Sequence, residues 1–197
     1  MLFRSDAAPA LFARCSGLTD AQASAVLRVP HGGLGYWVAA IREAFEEAGI
    51  VFAYGRDGTL ETLSVAPLAD RLAAHRDALN AGTLPMAEIL AREELTLACD
   101  QLVYFGHWIT PVHAPRRYDT RFFVALAPPA LVPLHDNAET IAHRWIAPAE
   151  ALARHARGEF SMRFPTLSTL REFARYETAE ADRKSTRLNS SHTDISR

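Results

Sequence analysis

The sequence predicts a mixed α/β or α+β sandwich, and three observations predict it. Helix-like and strand-like stretches intermix along the chain, two runs rich in aromatic and β-branched residues occupy positions 101–110 and 118–126, and amphipathic stretches flank both runs. The 197 residues hold 49% hydrophobic and 22% charged side chains, enough apolar material for a core and too much for global disorder. That length fits one domain, expected over residues 1–183.

Residues 7–28 mix polar and apolar positions in short helical patches. Within them, residues 18–27 place Thr19 as the N-cap of a helix that is apolar at Ala23, Val26 and Leu27. His31-Gly32-Gly33-Leu34-Gly35 reads as a flexible break. A helix is expected from Tyr36 to Ala48 with Gly49 placed to stop it. A short strand over Ile50–Tyr54 and a turn at Gly55-Arg56-Asp57-Gly58 follow. Residues 65–80 and 85–97 read as two amphipathic helices joined near Gly82, a helical excursion from a sheet (65–97). Sheet strands are expected within 101–146: Gln101–Thr110 and Tyr118–Leu126, separated by Pro111–Arg117, and a third over Glu139–Ile146 after the breaks at Pro128, Pro129 and Pro133. Pro148, an N1-type proline, opens a helix to Arg157, and a last helix spans Thr166–Tyr176.

Of the 21 basic residues 20 are arginine and Lys184 is the single lysine, while alanine occurs 35 times. Coding bias explains this more simply than phosphate binding does. A net charge of -2 gives no bulk attraction to nucleic acid, so no nucleic-acid partner is expected. Cys15 and Cys99 are too few for a disulfide-rich secreted scaffold and fit a reducing compartment. No run approaches the roughly 18 apolar residues of a membrane span, and the first residues do not form a signal peptide. A cytoplasmic protein with no membrane partner is expected. Residues 184–197, KSTRLNSSHTDISR, contain four serines and no alanine, lack periodicity of either kind, and resemble translated adapter read-through, the alternative being a natural polar tail. No function is expected of them.

The most informative stretch is Ala40–Ile50. At about 100° per residue, Glu43, Glu46 and Glu47 fall on one helix face, with Ile41, Ala44, Phe45 and Ala48 on the opposite, packed side. Like charges at i,i+4 repel by about 0.2–0.5 kcal/mol even when exposed. Arg42 can offset part of this through Glu46 at i+4, but one arginine does not neutralise three acids. Mg²⁺ or Mn²⁺ would, because hard oxygen ligands suit them. The alternative is a solvated acidic helix face.

Arg42, Glu43, Ala44, Glu46, Glu47, Gly49 and Ile50 match every specified position in the heart of the Nudix signature, Arg-Glu-apolar-x-Glu-Glu-x-Gly-apolar, and the stretch resembles that family. Two further stretches resemble its acyl-coenzyme A diphosphatase-like subgroup, which carries an insertion inside the signature: His107-Trp108-Ile109-Thr110-Pro111, then Arg116 to Phe123. Trp145 with Pro148, Glu150, Ala151 and Leu152 resembles the family's closing strand-to-helix step. The front of the signature departs from the common form, with Arg28 and Leu34 where a glycine and a glutamate are usual. In the subgroup a Phe-Pro-Gly-Gly loop precedes the insertion, and His31-Gly32-Gly33 lies too close to the helix to be that loop. The resemblance therefore implies that residues 7–35 are insertion and that first strands and loop lie upstream of Met1, leaving a fragment with an exposed sheet edge.

The resemblance implies an α/β/α sandwich with a mixed sheet, and hydrolysis of a pyrophosphate linkage in a nucleoside diphosphate derivative. For the subgroup the substrate would be coenzyme A or acyl-coenzyme A, giving 3',5'-ADP and (acyl-)4'-phosphopantetheine. It carries over Glu43, Glu46 and Glu47 as ligands of Mg²⁺ or Mn²⁺, with Arg42 orienting a glutamate. Glu139 is a candidate general base, against the reading of a solvated loop glutamate. Arg116, Arg117 and Arg121 are candidate phosphate contacts, against surface pairing. Trp108, Phe122, Phe123 and Trp145 are most simply core, although one, with Trp108 the candidate, could stack on adenine. His107 and His113 could assist phosphate contacts, and neither cysteine has a catalytic setting. The alternative function is a catalytically impaired Nudix-fold fragment or binding module.

Overall fold

The computed structural model describes residues 9–60, 68–113, 116–127 and 145–178. Glu139 and most of the strand expected at Glu139–Ile146 lie outside the described residues. The described residues divide between two compact units, one within Met1–Leu102 and Ala127–His143, the other within Val103–Leu126 and Arg144–Arg197.

In the first unit, helix α1 (Pro9–Phe12) leads into strand β1 (Cys15–Ser16), and helix α2 (Asp20–Leu27) follows. Thr19 caps α2 as expected, and the cap is reciprocal: the Gln22 amide donates to the Thr19 hydroxyl and the Thr19 amide donates to the Gln22 side chain. Helix α3 (Leu34–Ala48) starts two residues earlier than expected. The glycine segment before it is tied down rather than loose. Asp20 accepts from the Gly32 and Leu34 amides, both at 3.0 Å, and the Ser24 hydroxyl accepts from Gly33 at 3.0 Å. These side chains satisfy amides that a helix start leaves without partners. Gly33 is required there for space, because a Cβ would lie 2.3 Å from the Ser24 backbone nitrogen.

The buried stripe of α3 runs through Leu34, Trp37, Val38, Ile41 and Phe45, the spacing of an amphipathic helix. Trp37 donates its indole N–H to the Leu102 carbonyl at 3.2 Å, so the buried ring carries no polar penalty there. Ala44 and Ala48 are half-buried rather than fully packed. Gly49 adopts φ 69°, the left-handed conformation that glycine reaches without strain, and ends the helix as expected.

Strand β2 is only Ala53–Tyr54. Helices α4 (Leu68–Asn80) and α5 (Met86–Arg92) form the expected excursion, but α5 stops five residues before the expected end at Leu97. Glu94 turns the chain with φ 56°, and Thr96–Ala98 becomes strand β3. This strand is the centre of a three-stranded mixed sheet, parallel to β1 and antiparallel to β2, with Leu97 opposite both Cys15 and Ala53. Leu97 and Ala98 are fully buried. A 3-10 turn, Cys99–Gln101, closes the unit.

In the second unit, strands β4 (Val103–Ile109) and β5 (Asp119–Val124) pair antiparallel, within the expected ranges and trimmed at the ends. Helices α6 (Pro148–Ala156) and α7 (Phe164–Phe173) follow, the first opening on Pro148 as expected. Phe105 on β4 meets Phe173 edge to face at 4.9 Å, and Tyr104 meets Phe123 at 5.9 Å. Trp145 corrects the expectation of a core residue. It is 63% exposed, on the extended approach to α6, whose buried side chain is Ala151. Among the described residues no helix is long and apolar enough to cross a membrane.

Candidate functional site

Helix α3 brings Glu43, Glu46 and Glu47 onto one half-exposed face. Its geometry follows from the helical period, because the same rotation that buries Ile41 and Phe45 turns the three glutamates outward. Arg42 lies at the boundary and is 5% exposed. Its guanidinium donates from Nη2 to Glu43 Oε1 at 2.8 Å and pairs through Nη1 with Glu46 Oε2. The expected i,i+4 pair with Glu46 is therefore present, and Arg42 holds Glu43 as well. A buried cation joined to two carboxylates offsets their mutual repulsion and restricts their rotamers.

The last turn of α3 has its own support. Helix ends leave backbone carbonyls without intrahelical partners. The Ile50 amide donates to Ala44 at 3.1 Å and the Gly49 amide to Phe45 at 3.0 Å. The Glu46 and Glu47 carbonyls accept from the Arg76 guanidinium, each at 2.9 Å, and Asn80 adds a 3.4 Å contact to Glu46. Arg76 was not among the residues expected to matter. The available signal was its position four residues after Leu72 on α4, where an arginine shares the stripe of a fully buried leucine.

Three carboxylates are a hard-oxygen donor set, and by chemistry they fit Mg²⁺ or Mn²⁺. Among the described residues, no three His, Cys, Asp or Glu side chains converge on a point that could hold a metal ion. In this arrangement Glu43 and Glu46 face Arg42 instead.

The other expected site residues lie in the second unit. Arg117 is exposed, with its Nε donating to the Thr110 carbonyl at 3.2 Å, and Arg116 is exposed in the same loop. His113 is exposed as well. Trp108 is half-buried and meets Phe164 edge to face at 5.6 Å, while its indole nitrogen is buried without a hydrogen-bond partner among the described residues. His107 and Arg121 both engage Asp119, the histidine at 2.6 Å. Arg117 thus binds backbone, and Asp119 finds its partners across and along the strands.

Two pairings in the first unit were not legible beforehand. Cys15 on β1 and Cys99 just after β3 meet thiol to thiol. Their hydrogen bond lowers the Cys15 thiol against the opposing effect of burial, and the same bond, with burial, pushes Cys99 up. Both are free thiols. Glu93, at the end of α5, is largely buried. Burial acts to raise its carboxyl, but hydrogen bonds from His75 at 2.9 Å and Arg71 at 3.0 Å outweigh it and hold the group below its usual range.

The chain as a whole is similar to known proteins. The model of the NUDT19 Nudix domain matches residues 5–173. Human acyl-coenzyme A diphosphatase NUDT19 is 29% identical over 147 residues, which is 71% of this chain and 39% of that protein. The chain thus spans well under half the length of that relative. The crystal structure of a Nudix hydrolase from Alicyclobacillus acidocaldarius superposes with a TM-score of 0.65 at 26% identity, covering all of this chain and 79% of that one. The class is that of the Nudix hydrolases, and the mixed α+β architecture agrees with it. Within that class, the chain belongs to the NUDT19 Nudix domain family.

Proposed function

We propose that this chain is a divalent-metal-dependent pyrophosphohydrolase acting on a nucleoside diphosphate derivative. The narrower substrate is coenzyme A or acyl-coenzyme A, cleaved to 3',5'-ADP and (acyl-)4'-phosphopantetheine. The observation that carries this is the glutamate face of α3, with buried Arg42 between Glu43 and Glu46, in a chain matched by a Nudix family model. The resemblance to a human protein described as an acyl-coenzyme A diphosphatase supports the substrate class.

Glu43, Glu46 and Glu47 would hold Mg²⁺ or Mn²⁺. When bound, such an ion lowers the pKa of a coordinated water and neutralises charge on phosphoryl oxygens. Arg42 orients Glu43 and Glu46 and carries the positive charge that lets three acids share one face. The packing of Ile41 and Phe45 fixes the helix from which they project. Arg116 and Arg117, exposed in the β4–β5 loop, are proposed phosphate contacts. Trp108 is proposed to shape a substrate wall from its packed position on Phe164. Glu139 is proposed as the general base that takes a proton from water. An unchanged pH–rate profile in Glu139→Gln would remove it from that role.

A second function is a Nudix-fold binding module with impaired turnover. It is favoured by Glu43 and Glu46 turning toward Arg42 rather than converging with Glu47 on one point among the described residues. A panel of coenzyme A, acyl-coenzyme A, a dinucleotide and a nucleotide sugar, with Mg²⁺ or Mn²⁺, separates the two. Turnover of coenzyme A or its acyl form, abolished by chelator, is expected of the hydrolase. Binding without turnover of any substrate supports the module.

A further inference from the structure

We propose that Arg76 is a positioning residue for the glutamate helix, acting through backbone rather than side chains. This deepens the proposed function and rests on it, since its consequence is read at the metal. The residues whose carbonyls Arg76 holds, Glu46 and Glu47, are two of the three proposed ligands.

The accounting of the helix end makes the argument. The cap amides of Gly49 and Ile50 use the Phe45 and Ala44 carbonyls, and the next two carbonyls along the chain go to one guanidinium. Nε and Nη2 of that group point the same way along its planar fork, so two successive peptide units are gripped at once, each at 2.9 Å. A lysine ammonium offers rotatable donors from a single point and does not reproduce this grip. Arg76 as a residue is 8% exposed, in line with fully buried Leu72 and with Asn80, which also reaches Glu46. It therefore competes little with water for those carbonyls. Its charge also lies at the negative end of the α3 dipole, where a cation is favourable.

Arg42 and Arg76 thus divide the work on one turn. Arg42 fixes the Glu43 and Glu46 carboxylates, and Arg76 fixes the peptide units from which the Glu46 and Glu47 side chains leave. The second arginine belongs to α4, in the excursion between β2 and β3. The excursion is thereby coupled to the glutamate face through main-chain carbonyls.

The test compares the wild-type chain with Arg76→Lys and Arg76→Met at a temperature where circular dichroism shows all three folded. Mn²⁺ affinity is read by electron paramagnetic resonance. Amide hydrogen exchange is read without metal at Gly49 and Ile50, with the Val38–Ile41 turn as internal reference. The expected result is a loss of Mn²⁺ affinity in Arg76→Met of roughly tenfold or more, the scale of lost supports to metal ligands. Arg76→Lys falls between the two, and exchange quickens at Gly49 and Ile50 but not at the reference turn. Wild-type Mn²⁺ affinity in Arg76→Met, or unchanged protection at Gly49 and Ile50, overturns the proposal while leaving the metal site standing. Absence of Mn²⁺ binding by the wild-type chain overturns the metal site and this proposal together.

Discussion

Helix α3 and the β4–β5 hairpin each join a nearly buried arginine to a carboxylate, yet they hold their charged groups in different ways. Arg42 has a side chain 6% exposed and grips two glutamates that are themselves mostly covered, at 33% and 22%. Arg121 is comparably buried at 8%, but its partner Asp119 is 57% exposed and shared with His107. On the helix the acids stand above buried Ile41 and Phe45, and a second arginine holds two carbonyls of the last turn. Arg116 and Arg117 stand exposed in the hairpin loop, and Arg117 touches a single carbonyl. Geometry held at several points suits ligands that must not move, whereas groups held at one point can adapt to a substrate.

The comparison can be broken most forcefully at the acids. Glu46→Gln and Glu47→Gln should each lower turnover by at least about 100-fold, beyond the usual cost of losing a supporting contact to a metal ligand. Folded stability should change by no more than about 1 kcal/mol for such partly exposed groups. Equal activity in either variant would remove that glutamate from the site. Next in size is Arg42→Met, which leaves Glu43 and Glu46 without their shared cation. It should cost about 2 kcal/mol in denaturant unfolding, the scale of charged hydrogen bonds lost from a buried donor.

The pH response of Glu93 sharpens the comparison away from the site. Its folded pKa lies below the unfolded value, so its contribution to stability is full above the unfolded carboxyl range and is lost as pH falls through the folded pKa. Glu93→Gln should therefore destabilise the protein most near neutrality, and the gap from wild type should shrink in acid. A gap that stays constant with pH would remove the ionic contribution. The smallest effect is expected from Arg117→Ala. Unfolding should change within about 0.5 kcal/mol, while KM for the phosphorylated substrate rises. Unchanged kinetics would leave Arg117 a surface residue.

Helix α3 was legible because three signals coincide between Tyr36 and Gly49: a packed side at Ile41, Ala44, Phe45 and Ala48, glutamates at i, i+3 and i+4, and a glycine stop. Its start was misplaced because the amides of Gly32, Gly33 and Leu34 are satisfied by Asp20 and Ser24, whose reach depends on how α2 folds back. Strands β1 and β3 were not legible. Cys15–Ser16 and Thr96–Ala98 are too short to establish a period of two, and Thr96–Ala98 continues the alanine- and leucine-rich pattern of α5. The meeting of Cys15 and Cys99 was hidden for the same reason, since it depends on parallel pairing of residues some eighty positions apart. The hairpin was legible from its aromatic and β-branched content, but the ion-pairing choices of Asp119 and Arg121 depend on register. Arg76 was not singled out because sequence does not show which face of α4 meets the end of α3.

The most direct measurement is a Mn²⁺ titration of the wild-type chain beside Glu46→Gln and Glu47→Gln, followed by electron paramagnetic resonance. Saturable binding at or below millimolar Mn²⁺, weakened in both variants while their circular dichroism spectra stay native, is the result predicted for a metal-holding glutamate face on α3. No binding at millimolar Mn²⁺, or equal binding in all three proteins, would contradict it.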